Sequence, residues 1–179
     1  MNNIRKTDSK QRILVSFTNL LHQKSLAKIT VSDIAQNAHL SRGTFYLNYK
    51  DKFDLLEQTE ENIFTDLKSI FQKYPPRSNE LISSDAILHA LYYTQINFEL
   101  IYALVTKAHT THVLELLRSV VYNPLEDEET LVRAIYAREA TFSAISAIIV
   151  LWIKRKATES PAQLTKIIES LCHQTFTSI

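Results

Sequence analysis

A chain of 179 residues is long enough for one or two small domains, and this one contains a single glycine and four prolines. Sheets need tight turns with positive φ, so one glycine leaves no room for an all-β fold or a glycine-cradled nucleotide loop and points to an all-α architecture. Net charge is only +1, but residues 1–52 hold nine cations against three acids, a net +6, and the other 127 residues hold 11 against 16, a net −5. A basic head on an acidic body suits a polyanionic partner; a basic face kept in water is the plain alternative.

Read in chain order, Asp8 with Gln11 three residues on has the form of a capping box, and Ile13, Leu14, Phe17, Leu20 and Leu21 then follow at one-face helical spacing. Thr30-Val-Ser-Asp33 is a second cap, with Val31, Ile34, Ala35 and Ala38 as a short apolar face over 31–38. After His39 and Leu40, Ser41 caps a third helix over 42–48. Asp51 with Asp54 opens a long helix to 73, ended by Tyr74-Pro75-Pro76, the clearest break in the chain. Helical runs follow at about 83–104, 107–122 and 127–156, and Ser160-Pro161-Ala-Gln163 starts a last one. This divides the chain into domains 1–66 and 67–179.

Cys172 is the only cysteine, which excludes a disulfide framework and a thiolate zinc site. The polar N-terminus does not read as a signal peptide. The longest apolar stretch, Phe142–Ile153, spans 12 residues, short of the roughly 20 that cross a bilayer. The expectation is a cytoplasmic protein with no membrane contact. No phosphate loop, nucleophile elbow or metal cluster is present, so neither an enzyme nor a cofactor is expected. His109 and His112 share a helix face but supply two ligands where a closed zinc site needs about four.

Two short helices joined by a tight turn match the helix-turn-helix layout. The second begins Ser41-Arg42-Gly43-Thr44, which places two hydroxyls and a guanidinium at the end that faces base edges. Gly43 lets backbone approach the duplex. Free N–H groups beside Thr30 and Ser32 suit a phosphate, and Tyr46, Tyr49, Lys50 and Lys52 follow as phosphate-gripping candidates. Core packing is the alternative for Phe45, Tyr46 and Tyr49.

Residues 10–57 resemble the DNA-binding domain of the tetracycline-repressor (TetR) family. The matching pieces are Arg12-Ile13-Leu14, Ile29-Thr30-Val31, Ile34-Ala35, Ser41 to Tyr46, Tyr49, and Lys52 with Leu55-Leu56. His39 stands where the family usually has glycine, and Tyr49 where it has Phe. The resemblance implies that Ser41, Arg42 and Thr44 read bases, that Tyr46 reaches the DNA backbone, and that Thr30, Ser32 and Lys52 anchor phosphates. It also implies a homodimer on palindromic double-stranded DNA and a small-molecule effector of unknown identity. The run Phe142–Ile153 with Thr158-Glu-Ser-Pro161 resembles a C-terminal subgroup that includes regulators and a co-activator of dihydroxyacetone-kinase genes. Where that subgroup has glycine after its Trp, this chain has Lys154-Arg-Lys-Ala157.

The C-terminal bundle is expected to dimerise through Phe142, Ile145, Ile149 and Trp152 with Leu164, Ile168 and Leu171, helped by small residues such as Ala140, Ser143, Ala144 and Ala147. The alternative is that these stripes face the protomer's own core. His89, Tyr92, Tyr93, Phe98 and Tyr102 are candidates for lining an effector pocket, against ordinary core and surface aromatics. A sequence-specific regulator, most simply a repressor released by its effector, is the leading reading; a co-activator working through a protein partner on the same fold is the second.

Overall fold

The computed structural model describes residues 2–77, 82–108, 118 and 128–176, all its regular elements among them being helical. Two compact units result, one of Met1–Asn62 with Glu99–Thr110, the other of Ile63–Phe98 with Thr111–Ile179.

In the first unit, α1 runs Asn2–Gln23. It starts upstream of the expected Asp8 cap, because nothing between Asn2 and Asp8 breaks a helix. Asp8 instead lies within the helix, 4.0 Å from Arg12 one turn on. A 3₁₀ turn, Leu26–Lys28, leads to α2 (Val31–Asn37) and α3 (Arg42–Tyr46). Helix α4 (Lys52–Lys73) then begins on the expected cap, with Asp51 Oδ1 accepting from the N–H groups of Phe53 and Asp54 at 2.7 and 2.9 Å. Ile13, Phe17, Leu21, Ile29, Ile34, Phe45 and Leu55 are wholly buried, so α1 is the surface on which α2 and α3 pack. Ser16, buried among them, donates to Ile34 O at 2.8 Å. Helix α6 (Phe98–Ala103) and a π turn, Leu104–Ala108, also contribute; the turn packs on α1, and Tyr102 stacks on His22 with centroids 5.9 Å apart.

In the second unit, α5 (Ser84–Ile96) stops earlier than the expected run to 104. Asn97 ends it, its side-chain amide donating to Tyr93 O at 2.9 Å in competition with the helical ladder. The helix expected at 107–122 lies mostly outside the described residues, and so do His109 and His112. Helices α7 (Glu128–Lys154) and α8 (Pro161–Phe176) complete the unit, with α8 packed on α5 and α7. Ser160 and Gln163 form the expected reciprocal cap at 2.9 and 3.3 Å. Among the described residues no group of three or more His, Cys, Asp or Glu is placed to hold a metal ion.

The turn from α7 to α8 is strained. Lys156 and Ala157 have φ of 65° and 49°, in the left-handed region. The N–H of Lys156 reaches Ile153 O at 3.0 Å and that of Ala157 reaches Trp152 O at 2.9 Å, a Schellman-type ending. Trp152, 1% exposed, donates its Nε1–H to Glu159 O at 2.9 Å and so clamps the same turn. An alanine in this region carries a Cβ penalty that glycine escapes, partly offset by glycine's greater freedom when unfolded. Ala157→Gly is therefore expected to stabilise the protein by about 0.5–1 kcal/mol, read as a rise in Tm of a few degrees.

One expectation about this unit needs correction. Phe142, Ile145, Trp152, Leu164 and Ile168 are buried within the single chain, so they are not an open dimer seam. Of the residues expected there, Leu171 is 45% exposed and Ile149 is half-buried. The outward face of α7 carries Tyr136, Ala140, Ser143, Ala144, Ala147 and Leu151, and that of α8 carries Ile167 and Leu171. In addition, Ile135–Lys154, 20 residues with mean hydropathy 1.3, is long and apolar enough to cross a membrane by length and composition. Phe142, Ile145, Trp152 and Ile153 in that stretch are packed against protein.

Candidate nucleic-acid interface

The interface is built on α2, the following turn and α3. Thr30 and Asp33 form a full capping box: the Thr30 hydroxyl accepts from Asp33 N–H at 3.1 Å, and Asp33 Oδ2 accepts from Thr30 N–H at 2.9 Å. Lys24 donates to the same Oδ2 at 2.8 Å. Hydrogen bonds from Lys24 and Thr30 hold the Asp33 carboxyl down at about 2. The start of α2 thus carries an acid that is ionised at neutral pH, with Thr30 and Ser32 exposed beside it.

Helix α2 ends in a second Schellman-type turn. His39, φ 53°, is its left-handed residue; its N–H reaches Gln36 O at 3.0 Å and that of Leu40 reaches Ala35 O at 2.9 Å. The position conventionally filled by glycine is therefore filled here by histidine, which enters this conformation more readily than most side chains but at a cost that glycine escapes. Arg12 compensates from outside. Its Nη2 donates to Ala38 O at 2.6 Å and to His39 O at 3.0 Å, fastening the turn to α1.

On α3, Ser41 accepts from Thr44 N–H at 3.0 Å and its hydroxyl lies 2.9 Å from that of Thr44. The two expected hydroxyl readers are thus bonded to each other, and Ser41 is first of all the cap. Arg42, Gly43, Tyr46 and Leu47 are exposed, Tyr46 by 50% and Leu47 by 79%, while Phe45 on the opposite side is wholly buried. A Cβ on Gly43 would meet only Ser41 Oγ, at an ordinary 3.6 Å, and the φ there is not positive. Nothing in the fold demands glycine. Gly43→Ala is expected to stabilise the protein by about 0.5–1 kcal/mol through helix propensity, and to weaken DNA binding by lifting the helix off the duplex. Denaturant unfolding and a DNA titration on the same preparation check the two opposite signs.

Two of the expected phosphate contacts are spoken for. Tyr49 is 8% exposed, packed on Phe45 with ring centroids 5.7 Å apart; burial, aided by the charge of Asp54, pushes its phenol up. It belongs to the core, with Lys10 Nζ 5.4 Å above its ring. Lys52 donates to Leu26 O, Ala27 O and Ile29 O at 2.9, 3.1 and 2.8 Å. All three ammonium protons cap the turn before α2, so Lys52 braces the head rather than gripping a phosphate. Lys50 is exposed.

Several of the aromatic residues considered for an effector pocket have local partners of their own. His89 stacks on Tyr74 with centroids 4.0 Å apart, and its Nδ1 is 2.8 Å from Asp85 O. Tyr93 donates its hydroxyl to Asp66 at 2.9 Å; burial and that carboxylate push the phenol up. Tyr92 is 45% exposed and Phe98 is half-buried. Tyr102 is in the first unit, on His22. Residues whose importance the sequence did not signal are Arg12, which looked like one more cation of the first helix, and Leu47, whose direction within Phe45-Tyr-Leu47 needs the fold to be known.

An amphipathic support helix, a capped α2, a tight turn and an α3 with its outer face bare define a helix-turn-helix protein. Residues 13–59 match the family model described as bacterial regulatory proteins, tetR family. The chain is 38% identical over 56 residues to an uncharacterized HTH-type transcriptional regulator, YxbF, of Bacillus subtilis, covering 31% of this chain and 15% of that protein. It is 33% identical over 81 residues to the HTH-type dhaKLM operon transcriptional activator DhaS of Lactococcus lactis, covering 45% of this chain and 43% of that protein. The matched region thus spans less than half the length of either relative. A TetR transcriptional regulator of known structure from Streptococcus agalactiae superposes with a TM-score of 0.64 at 21% identity, covering 96% of this chain and 97% of that one. The N-terminal residues 13–59 are thus similar to the DNA-binding domain of tetR-family regulators, and the described residues share the all-helical fold of the Streptococcus agalactiae regulator.

Proposed function

We propose that this protein is a cytoplasmic, homodimeric transcription regulator that binds a palindromic operator in double-stranded DNA and is released from it by a small-molecule effector. The observation that carries the reading is the outer face of α3. Arg42, Gly43, Tyr46 and Leu47 are bare there, on a head of net charge +6, while Phe45 anchors the other side. Arg42 is the long polar reader of base edges, Thr44 and Ser41 stand behind it, and Thr30, Ser32, Tyr46 and Lys50 hold phosphates. The DNA-binding domain is 1–66 and the effector and dimerisation domain 67–179. Dimerisation uses the outward face of α7 and α8, where Tyr136, Leu151, Ile167 and Leu171 are exposed around Ala140, Ala144 and Ala147. In a two-fold dimer, both copies of α3 enter major grooves about one helical turn, ~34 Å, or a multiple apart. The effector acts by binding one arrangement of the two heads more tightly than the other.

A second reading is favoured by the similarity to DhaS, described as an operon activator. In it, the sign of regulation is activation and the protein works through a protein partner, with DNA reading subordinate. A gel shift on the DNA upstream of the protein's own gene, with scrambled competitor and a salt titration, separates the two. Sequence-selective binding that weakens steeply with salt supports the operator reading. No selective binding by a folded dimer at low salt sinks it and leaves the partner-dependent activator.

A further inference from the structure

We infer that Leu47 reads sequence by seating the 5-methyl group of a thymine, an inference that rests on the DNA-binding reading above. Leu47 is 79% exposed at the C-cap of α3, and its N–H bonds Gly43 O at 3.0 Å, so it stands one turn beyond Gly43 on the same face. Its isobutyl group buries almost nothing within the chain, and so has no role in holding the head together. The floor next to it is open, since a Cβ at Gly43 would approach only Ser41 Oγ, at 3.6 Å. A bare backbone floor with one apolar wall makes a notch the size of a methyl group. Arg42 and half-exposed Tyr46 flank it on a head of net charge +6, which fits a polyanion. In the major groove every base-pair edge is polar except for one apolar group, the thymine methyl. The pairing that Leu47 fits is therefore with thymine, and it adds apolar discrimination to the hydrogen bonds of Arg42.

Replacing thymine by deoxyuracil removes that methyl group and leaves the hydrogen-bonding edge intact. The full-length protein is used to select duplexes from a randomised library. The selected duplex is then remade with each thymine changed in turn to deoxyuracil, and each is titrated with wild type and with Leu47→Ala. The expected result is one thymine in each half-site where deoxyuracil weakens wild-type binding about 4-fold, the value of one buried methyl-sized group. Leu47→Ala is expected to bind the two duplexes equally and to keep the wild-type Tm. Leu47→Met, which restores an apolar wall, regains part of the discrimination. Indifference to deoxyuracil at every position, or discrimination that survives in Leu47→Ala, overturns the thymine contact while the DNA-reading proposal stands. A library in which no sequence is enriched overturns that proposal and the contact with it.

Discussion

Lys52→Met is expected to lower the free energy of unfolding by about 2 kcal/mol, through the loss of charge-assisted hydrogen bonds to the carbonyls of the turn before α2. Methionine keeps most of the stem and removes the three donors to Leu26 O, Ala27 O and Ile29 O. Those carbonyls belong to the 3₁₀ turn and the residue that delivers the chain into α2, so the loss falls on the position of the whole reading module. The alternative role, a phosphate grip, has a different signature. It would leave Tm unchanged and reduce by about one the slope of log affinity against log salt. Urea unfolding of the free protein and a salt series of DNA titrations measure both quantities. An unchanged Tm with a shallower salt slope would return Lys52 to the DNA surface.

Arg42→Ala is expected to weaken binding to the cognate operator by about 1–3 kcal/mol per half-site and to change affinity for random DNA little. Ser41 and Thr44 are engaged with each other, which leaves Arg42 as the long donor-rich side chain on the outer face of α3. A guanidinium reading the O6 and N7 edge of guanine loses two hydrogen bonds at once, and only at the matching base. Parallel titrations of a selected duplex and its scrambled version make the comparison. Equal losses on both would mean that Arg42 holds phosphate and that base reading lies elsewhere.

Much of the fold was legible because helix starts are local chemistry. The caps at Thr30–Asp33, Ser41, Asp51 and Ser160–Gln163 are each made by residues within three positions of one another, and all four form as expected. The Asp8 cap failed because a capping pattern stops a helix only if the residues before it resist helix formation, and here they do not. Long-range commitments were not legible. The charge of Lys52 is plain in the sequence, but its destination is a set of carbonyls 23 to 26 residues earlier. Tyr49 has both an aromatic body that packs and a hydroxyl that bonds, and only its neighbours decide between them. In α7, apolar and small residues occupy more than one face, so periodicity marks a helix without saying which face meets α8 and which is left outward. The aromatic residues of α5 and α6 share helical spacing with a pocket lining, but three of them, His89, Tyr93 and Tyr102, are paired locally with Tyr74, Asp66 and His22. The missing glycines at His39 and within Lys154-Arg-Lys-Ala157 were visible as departures from a family pattern, and the structure gives His39, Lys156 and Ala157 positive φ.

Helix α3 has only five residues. A helix that short has no stability of its own. Its tilt is inherited from supports that lie off the DNA-facing surface: Arg12 on the preceding turn, Ser16 on Ile34, and Lys52 behind the entry to α2. Under the proposed DNA-reading function, operator preference is held in two layers, the side chains that meet bases and the braces that aim them. Substitutions in α1 or at the start of α4 would retarget the protein without altering one residue of α3. A lineage descending from it would diverge in the sites it recognises by drift in its scaffold as readily as by change in its reading face.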